Sequence, residues 1–107
     1  MLRKKIPYSK QNIINDDIKS INKVLKSDFL TSGPTVKLFE KKICKKVNSK
    51  FAISTNSATS ALHISCLALG LKKNDIVWTS SISFVASANC GLYCGAKIEL
   101  GDINRET

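Results

Sequence analysis

The chain has 107 residues, 43% of them hydrophobic and 23% charged, with a formal charge of +9 at neutral pH and four cysteines. That length holds one domain at most, and the apolar fraction excludes a disordered tail or a collagen-like repeat. The longest apolar stretch, residues 61–71, is broken by His63, Ser65 and Gly70 and is shorter than the roughly 20 residues that cross a bilayer, which excludes a membrane-spanning helix.

The charge is unevenly placed. Residues 1–50 hold 13 Lys and Arg against four acids, whereas residues 51–107 hold four of each. A basic half can bind nucleic acid or another polyphosphate. Here, however, the lysines alternate with apolar residues at helical spacing and no aromatics are interleaved with them, so solvated helix faces are expected and no nucleic-acid partner. Cys44, Cys66, Cys90 and Cys94 show neither CxxC spacing nor a histidine set, which predicts four buried thiols and no zinc site.

In chain order, Arg3, Lys4 and Lys5 precede Pro7, Tyr8, Ser9 and Lys10, polar residues standing where a signal peptide needs an apolar core. A cytoplasmic protein without membrane attachment is therefore expected. Ile18, Ile21, Val24 and Leu25 predict an amphipathic helix over 15–27, with Asn15 as N-cap, acids in the first turn and Lys23 and Lys26 in the last. Thr31, Ser32, Gly33 and Pro34 break it, after which Val36, Phe39, Ile43 and Val47 predict a second amphipathic helix.

From Phe51 the texture changes to short apolar runs and small-residue helices, which predicts a buried α/β core. The expected order is a strand over 51–54, a helix over 58–69 closed by Gly70, a strand over 76–79, a helix over 83–93 closed by Gly95, and a strand over 97–100. Such a β-α-β-α-β order implies parallel strands with right-handed crossovers. Three strands and two helices do not close a sheet buried on both faces, so the sequence reads as a 1–50 helical segment followed by the start of a larger α/β domain over 51–107.

Two stretches carry the chemistry. Ser54, Thr55, Asn56, Ser57, Ala58, Thr59 and Ser60 lead from a strand into a helix through hydroxyl-rich small residues, where backbone N–H groups and the helix dipole suit a phosphate. Ordinary N-capping by Ser57 or Thr59 explains the same pattern. There is no GxxxxGK[ST] and no GxGxxG. The second stretch, residues 79–89, places Phe84 at a helix start beside a strand's carboxyl end, where ligands of open α/β sheets bind and an aromatic can lie on a flat ring; a core Phe84 fits equally. His63 reads as a packing or surface residue, Trp78 as core, and Asp102 as either a site residue or an acidic turn residue.

Together these segments resemble the start of the DegT/DnrJ-type sugar aminotransferases, pyridoxal-phosphate enzymes of the aspartate-aminotransferase fold (fold type I). The resemblance lies in Ile6, Pro7 and Tyr8, then Asp28 through Pro34 with Phe39 and Glu40. It continues in Asn56 through His63, Ile82 through Asn89, and Gly101, Asp102, Ile103 and Asn104 through Thr107. Where members commonly carry a Val-Asp-Ile-Asp turn, this chain has Gly101, Asp102, Ile103 and Asn104, so a role for the second acid is not carried over.

The resemblance implies the N-terminal part of the large α/β domain, an incomplete parallel sheet preceded by two amphipathic helices. It implies pyridoxal 5′-phosphate as cofactor, with Ala58 and Thr59 at its phosphate and Phe84 on its ring. Tyr8, Asp28, Phe29, Leu30, Thr31 and Ala58 would line a nucleotide-sugar pocket. The NSATSAL and ISFVA blocks resemble the subgroup serving pseudaminic acid synthesis, which implies transfer of an amino group from glutamate to C4 of a UDP-linked 4-keto-6-deoxy-hexose by a homodimer. The Schiff-base lysine of the family comes from later in the chain than these residues, and no lysine here matches its motif. The chain alone is therefore expected to be inactive. Two alternatives stay open: a paralogue acting on another keto sugar, including a dehydratase variant with histidine for lysine, and a stand-alone basic α/β binding module.

Overall fold

A computed structural model describes residues 6–104 and 106. Arg3, Lys4 and Lys5, and Arg105 and Thr107 of the post-strand turn, lie outside the described residues. The chain divides into two units, one ending at Ala52 and one beginning at Ile53.

The first unit holds α1 (Asn15–Leu25) and α2 (Pro34–Val47). The N-cap of α1 is Ile14 rather than Asn15. Ile14 has no side-chain acceptor, and Asp17 supplies the missing order by reaching back to accept the Ile14 N–H at 3.0 Å, half of a capping box. The helix stops at Leu25, with Lys26 as its C-cap. Gly33 caps α2 and Pro34 occupies its first turn, where proline's fixed φ and missing N–H cost nothing. Asn48 closes it in the left-handed region at φ 52°, as a helix C-terminus often requires. Among the described residues of this unit, Val24, Gly33, Glu40, Cys44 and Ala52 are drawn in from solvent, while Ile18, Ile21, Leu25, Leu38, Phe39 and Val47 stay exposed.

The second unit runs α3 (Ala58–Ala68), β1 (Ile76–Ser80), α4 (Ala86–Tyr93) and β2 (Lys97–Gly101). The two strands pair in parallel with Ile76 opposite Lys97 and Ser80 opposite Gly101. Gly70 and Gly95, at φ 76° and 80°, end α3 and α4 in the same way. Leu71 N–H reaches the Cys66 carbonyl and Gly70 N–H that of Leu67; Ala96 N–H reaches Gly91 and Gly95 N–H reaches Leu92. This is the paired bonding of a Schellman motif, and glycine adopts the required φ without steric cost.

Helix α4 lies close on one face of the sheet. A Cβ built on Gly91 would stand 2.7 Å from Ile98 Cδ1 and 2.9 Å from Val77 Cγ2, so only glycine fits this approach. Ala86, Cys90, Gly91 and Ala96 are buried there.

Four further expectations are corrected. Residues 51–54 form no strand: a strand exists only through pairing, and the described residues supply no neighbour for it, so the sheet has two strands rather than three. Trp78 is not core but 70% exposed, because β1 alternates and its Ile76–Trp78–Ser80 face has no element packed on it among the described residues. Of the four thiols only Cys90 is buried; Cys44, Cys66 and Cys94 are half-buried, and all four are free. The helix expected from Ser83 begins at Ala86, since residues 81–85 are first used in a turn bonded through Ser80. Among the described residues no helix is long and apolar enough to cross a membrane, and no cluster suited to a metal ion occurs.

Candidate functional site

The turn into α3 is ordered by its own side chains. Ser57 is the N-cap, its Oγ accepting the Ser60 N–H at 3.1 Å. Thr55 Oγ1 donates to the Ser57 carbonyl at 2.8 Å, and Ser60 Oγ donates to Asn56 Oδ1 at 2.8 Å. The capping expectation therefore holds for Ser57. Ala58 and Thr59 open the helix, where N–H groups have no partner within the helix itself. Neither N–H is bonded elsewhere among the described residues. Two adjacent free donors at the positive end of a helix dipole are the arrangement that a dianionic phosphate requires.

Phe84 stands at the approach to α4 and is 74% exposed rather than core. It lines a cavity of about 280 Å³ together with Thr79, Ser80, Ser81, Ser83, Ser87 and Leu100, among others, at the carboxyl end of β1. That edge is where open α/β sheets place ligands. Neither Ala58 nor Thr59 lines this cavity. The helices that follow the two segments meet through His63 of α3 and Tyr93 of α4, whose rings stand edge to face at 5.2 Å, so His63 is a packing residue. Asp102 borders a separate hollow with Trp78, Thr79, Ser80 and Gly101 and accepts the Ile103 N–H at 2.8 Å.

On the α3–α4 contact, burial pushes the Cys66 thiol above its ordinary value. A hydrogen bond with Cys90 and the charges of Cys90 and Cys94 act in the same direction. Cys66 is thus held as a neutral thiol and not activated as a nucleophile.

In the first unit, Asp28 and Phe29 line a hollow of about 680 Å³ between α1, the following turn and α2. Its wall also carries Lys23, Lys26 and Lys42. Leu30 and Thr31 do not line it, and Tyr8 is fully exposed. Ala58, the remaining residue of the expected sugar-binding set, belongs to the second unit. Sequence reading placed Asn56 in the hydroxyl-rich stretch without giving it a role of its own; its spacing of four from Ser60 across a helix start was the available signal.

Residues 11–107 match the DegT/DnrJ/EryC1/StrS aminotransferase family. The chain belongs to that family. The match takes in residues 11–50, with nine of the 13 basic residues of the first half, as well as the α/β part, so most of the basic segment belongs to the family match rather than to a separate module. A UDP-4-amino-4,6-dideoxy-N-acetyl-beta-L-altrosamine transaminase of Campylobacter jejuni is 46% identical over 101 residues, covering 94% of this chain and 27% of its own length. PseC of Helicobacter pylori, an aminotransferase of pseudoaminic acid biosynthesis, superposes with a TM-score of 0.83 at 36% identity, covering 94% of this chain and 28% of that one. Spr1654 of Streptococcus pneumoniae, solved in PLP and PMP forms, gives a TM-score of 0.86 at 27% identity over 95% of this chain and 26% of that one. The chain thus spans about 27% of the curated relative's length, and its α/β architecture is that of the corresponding part of these folds.

Proposed function

We propose that the protein carrying this chain is a pyridoxal-phosphate-dependent aminotransferase. It would move an amino group from glutamate to C4 of a UDP-linked 4-keto-6-deoxy-hexose, in pseudaminic acid or a related surface-sugar biosynthesis. The observation that carries the reading is the pair of free N–H groups at Ala58 and Thr59 on a self-ordered turn, in a chain 46% identical to an altrosamine transaminase.

The residues present fit the cofactor. A phosphate finds two backbone donors and a helix dipole at the start of α3, and a planar ring finds an exposed aromatic at Phe84 beside a cavity. When bound, the cofactor supplies an electron sink for negative charge at the reacting carbon. The chain's own part is to bind and orient: Ala58 and Thr59 anchor one end, and Phe84 fixes the plane.

Tyr8, Asp28, Phe29, Leu30, Thr31 and Ala58 are proposed to line the nucleotide-sugar pocket, with residues 1–50 as a helical segment and 51–107 as the start of the cofactor-binding domain. A homodimer completes the proposal. The amine that engages the cofactor is not among these residues, so the 107-residue chain alone is expected to be inactive.

The test is a titration of the protein carrying this chain with pyridoxal 5′-phosphate, followed spectroscopically, and then incubation with glutamate and a UDP-4-keto-6-deoxy sugar. Cofactor binding with formation of 2-oxoglutarate and amino sugar is expected. Absence of cofactor binding overturns the reading; binding with another keto sugar aminated in preference moves the substrate to a paralogue's.

A further inference from the structure

The α3–α4 contact brings together two thiols from separate helices. Cys90 of α4 is 4% exposed, and its Sγ donates to the Ser87 carbonyl at 3.3 Å. That leaves the sulfur lone pairs of Cys90 as acceptors, and the half-buried Cys66 thiol of α3 bonds to them. A ring contact fixes the same pairing. His63 stands one turn before Cys66 and Tyr93 one turn after Cys90, and their rings meet at 5.2 Å. Helix α4 is held in place from its other side, where the sheet leaves no room for a Cβ on Gly91. Cys94 lies one turn from Cys90 on the same helix, a spacing of about 5–6 Å between Cβ atoms, wider than the roughly 4 Å that a disulfide takes. Cys66 and Cys90 therefore form the pair that a bond can join, and neither belongs to the proposed cofactor or sugar site.

We propose that Cys66 and Cys90 are a redox-modification site, at which a hydroperoxide oxidises the two thiols to a disulfide that staples α3 to α4. Cys66, the more accessible of the two, reacts first. Its sulfur, as thiolate, takes the terminal peroxide oxygen; the O–O bond breaks, and the other oxygen leaves with the thiol proton as water or an alcohol. The product is a sulfenic acid. Cys90 sulfur then attacks Cys66 sulfur; the S–S bond forms, the S–O bond breaks, and the hydroxide leaves as water with the Cys90 proton. Two thiols are oxidised and one peroxide is reduced. Because Cys66 is held as a neutral thiol, the first step is slow, and the pair stays reduced until peroxide is in excess. The inference is independent of the cofactor reading, and its test uses no cofactor.

The experiment treats the protein carrying this chain with excess hydrogen peroxide, blocks the remaining thiols, digests without reductant and reads the peptides by mass spectrometry. The expected product joins the peptides of Cys66 and Cys90, lighter than their sum by two hydrogens, and dithiothreitol separates them again. Cys66→Ala and Cys90→Ala each abolish it, whereas Cys44→Ser and Cys94→Ser leave it in place. Oxidation is also expected to raise the urea midpoint, since the crosslink restricts the unfolded chain between the two helices, and peroxide should give no such rise in Cys66→Ala. Should Cys90→Ala not fold, by circular dichroism, Cys66→Ala, at the half-buried position, carries the test. The proposal is overturned if peroxide leaves the two thiols free, takes them to separate sulfinic acids, or joins Cys66 to Cys94 in the parent. A Cys66–Cys90 crosslink that lowers the midpoint overturns it as well, because the helices would then have left their native contact to form it.

Discussion

The unit that ends at Ala52 leaves Ile18, Ile21 and Leu25 of α1 and Leu38, Phe39 and Val47 of α2 exposed, and among its described residues only Gly33 is buried. The unit that begins at Ile53 buries Ala86, Cys90, Gly91 and Ala96, all small side chains, where α4 meets the sheet. The first unit draws its order from local devices: the Asp17 bond to Ile14, Pro34 in the first turn of α2, and Asn48 at its end. The second draws it from close approach between a helix and two strands. Added volume should therefore damage the second unit most, whereas trimming the apolar face of the first should matter little.

Gly91→Val puts this difference to its hardest test. A Cβ there already meets Ile98 Cδ1 at 2.7 Å and Val77 Cγ2 at 2.9 Å, and valine adds two methyl groups beyond it. Overpacking of this kind costs about 2 kcal/mol, read as a lower urea midpoint with unchanged slope. Ile21→Ala, at a side chain 57% exposed, is the contrast and should change stability by no more than about 0.5 kcal/mol. Equal losses at the two positions would show that the exposed face of α1 is as tightly packed as the α4 contact.

The elements were legible where their signals are local. Apolar spacing located α1 within two residues and announced α2 through Val36, Phe39, Ile43 and Val47, and Gly70 and Gly95 marked the ends of α3 and α4 because a positive φ leaves few residue types to choose from. The strand expected over 51–54 was not legible, since an apolar run states what a segment can do and not whether a neighbour stands beside it. Trp78 failed for the same reason: its burial depends on what covers the outer face of β1, which the sequence of β1 does not encode. At the candidate site, Ser57 and Thr59 could be read as capping residues from the pattern of small hydroxyl residues at a helix start, whereas Ala58 and Thr59 as phosphate residues came only from the family resemblance. The direction of the Ser60 hydroxyl proton could not be read, because it follows from where Asn56 Oδ1 sits.

Gly33→Ala brings the comparison into the first unit with a smaller effect. Gly33 has φ −77°, a value open to alanine, so backbone strain is not the issue. The added Cβ would stand 2.6 Å from Phe29 Cβ, an atom too close to the main chain to swing aside. The turn must open instead, at about 1 kcal/mol. Because this unit is ordered locally, the loss should be seen first in hydrogen exchange of the Val36 amide, which bonds the Gly33 carbonyl at 3.2 Å, and only weakly at α3 and α4. Equal loss of protection in both units would mean that they unfold together.

The smallest effect is a pH dependence on the α3–α4 contact. Burial pushes the Cys66 thiol above 9.0, and its neighbours Cys90 and Cys94 add to the shift. Since the proton is released more readily from the unfolded chain, the stability contributed by the neutral thiol is fully present below the unfolded value and falls as the pH rises from there through the folded value. The urea midpoint of the parent should therefore gain no slope from Cys66 between pH 7 and 8 and should decline above pH 9 more steeply than that of Cys66→Ala. Lysines titrating in the same range contribute equally to both proteins, so the difference between the two curves is the quantity to read. Parallel curves would show that Cys66 meets the same surroundings folded and unfolded, and that the second unit, for all its close packing, leaves this part of the contact open to water.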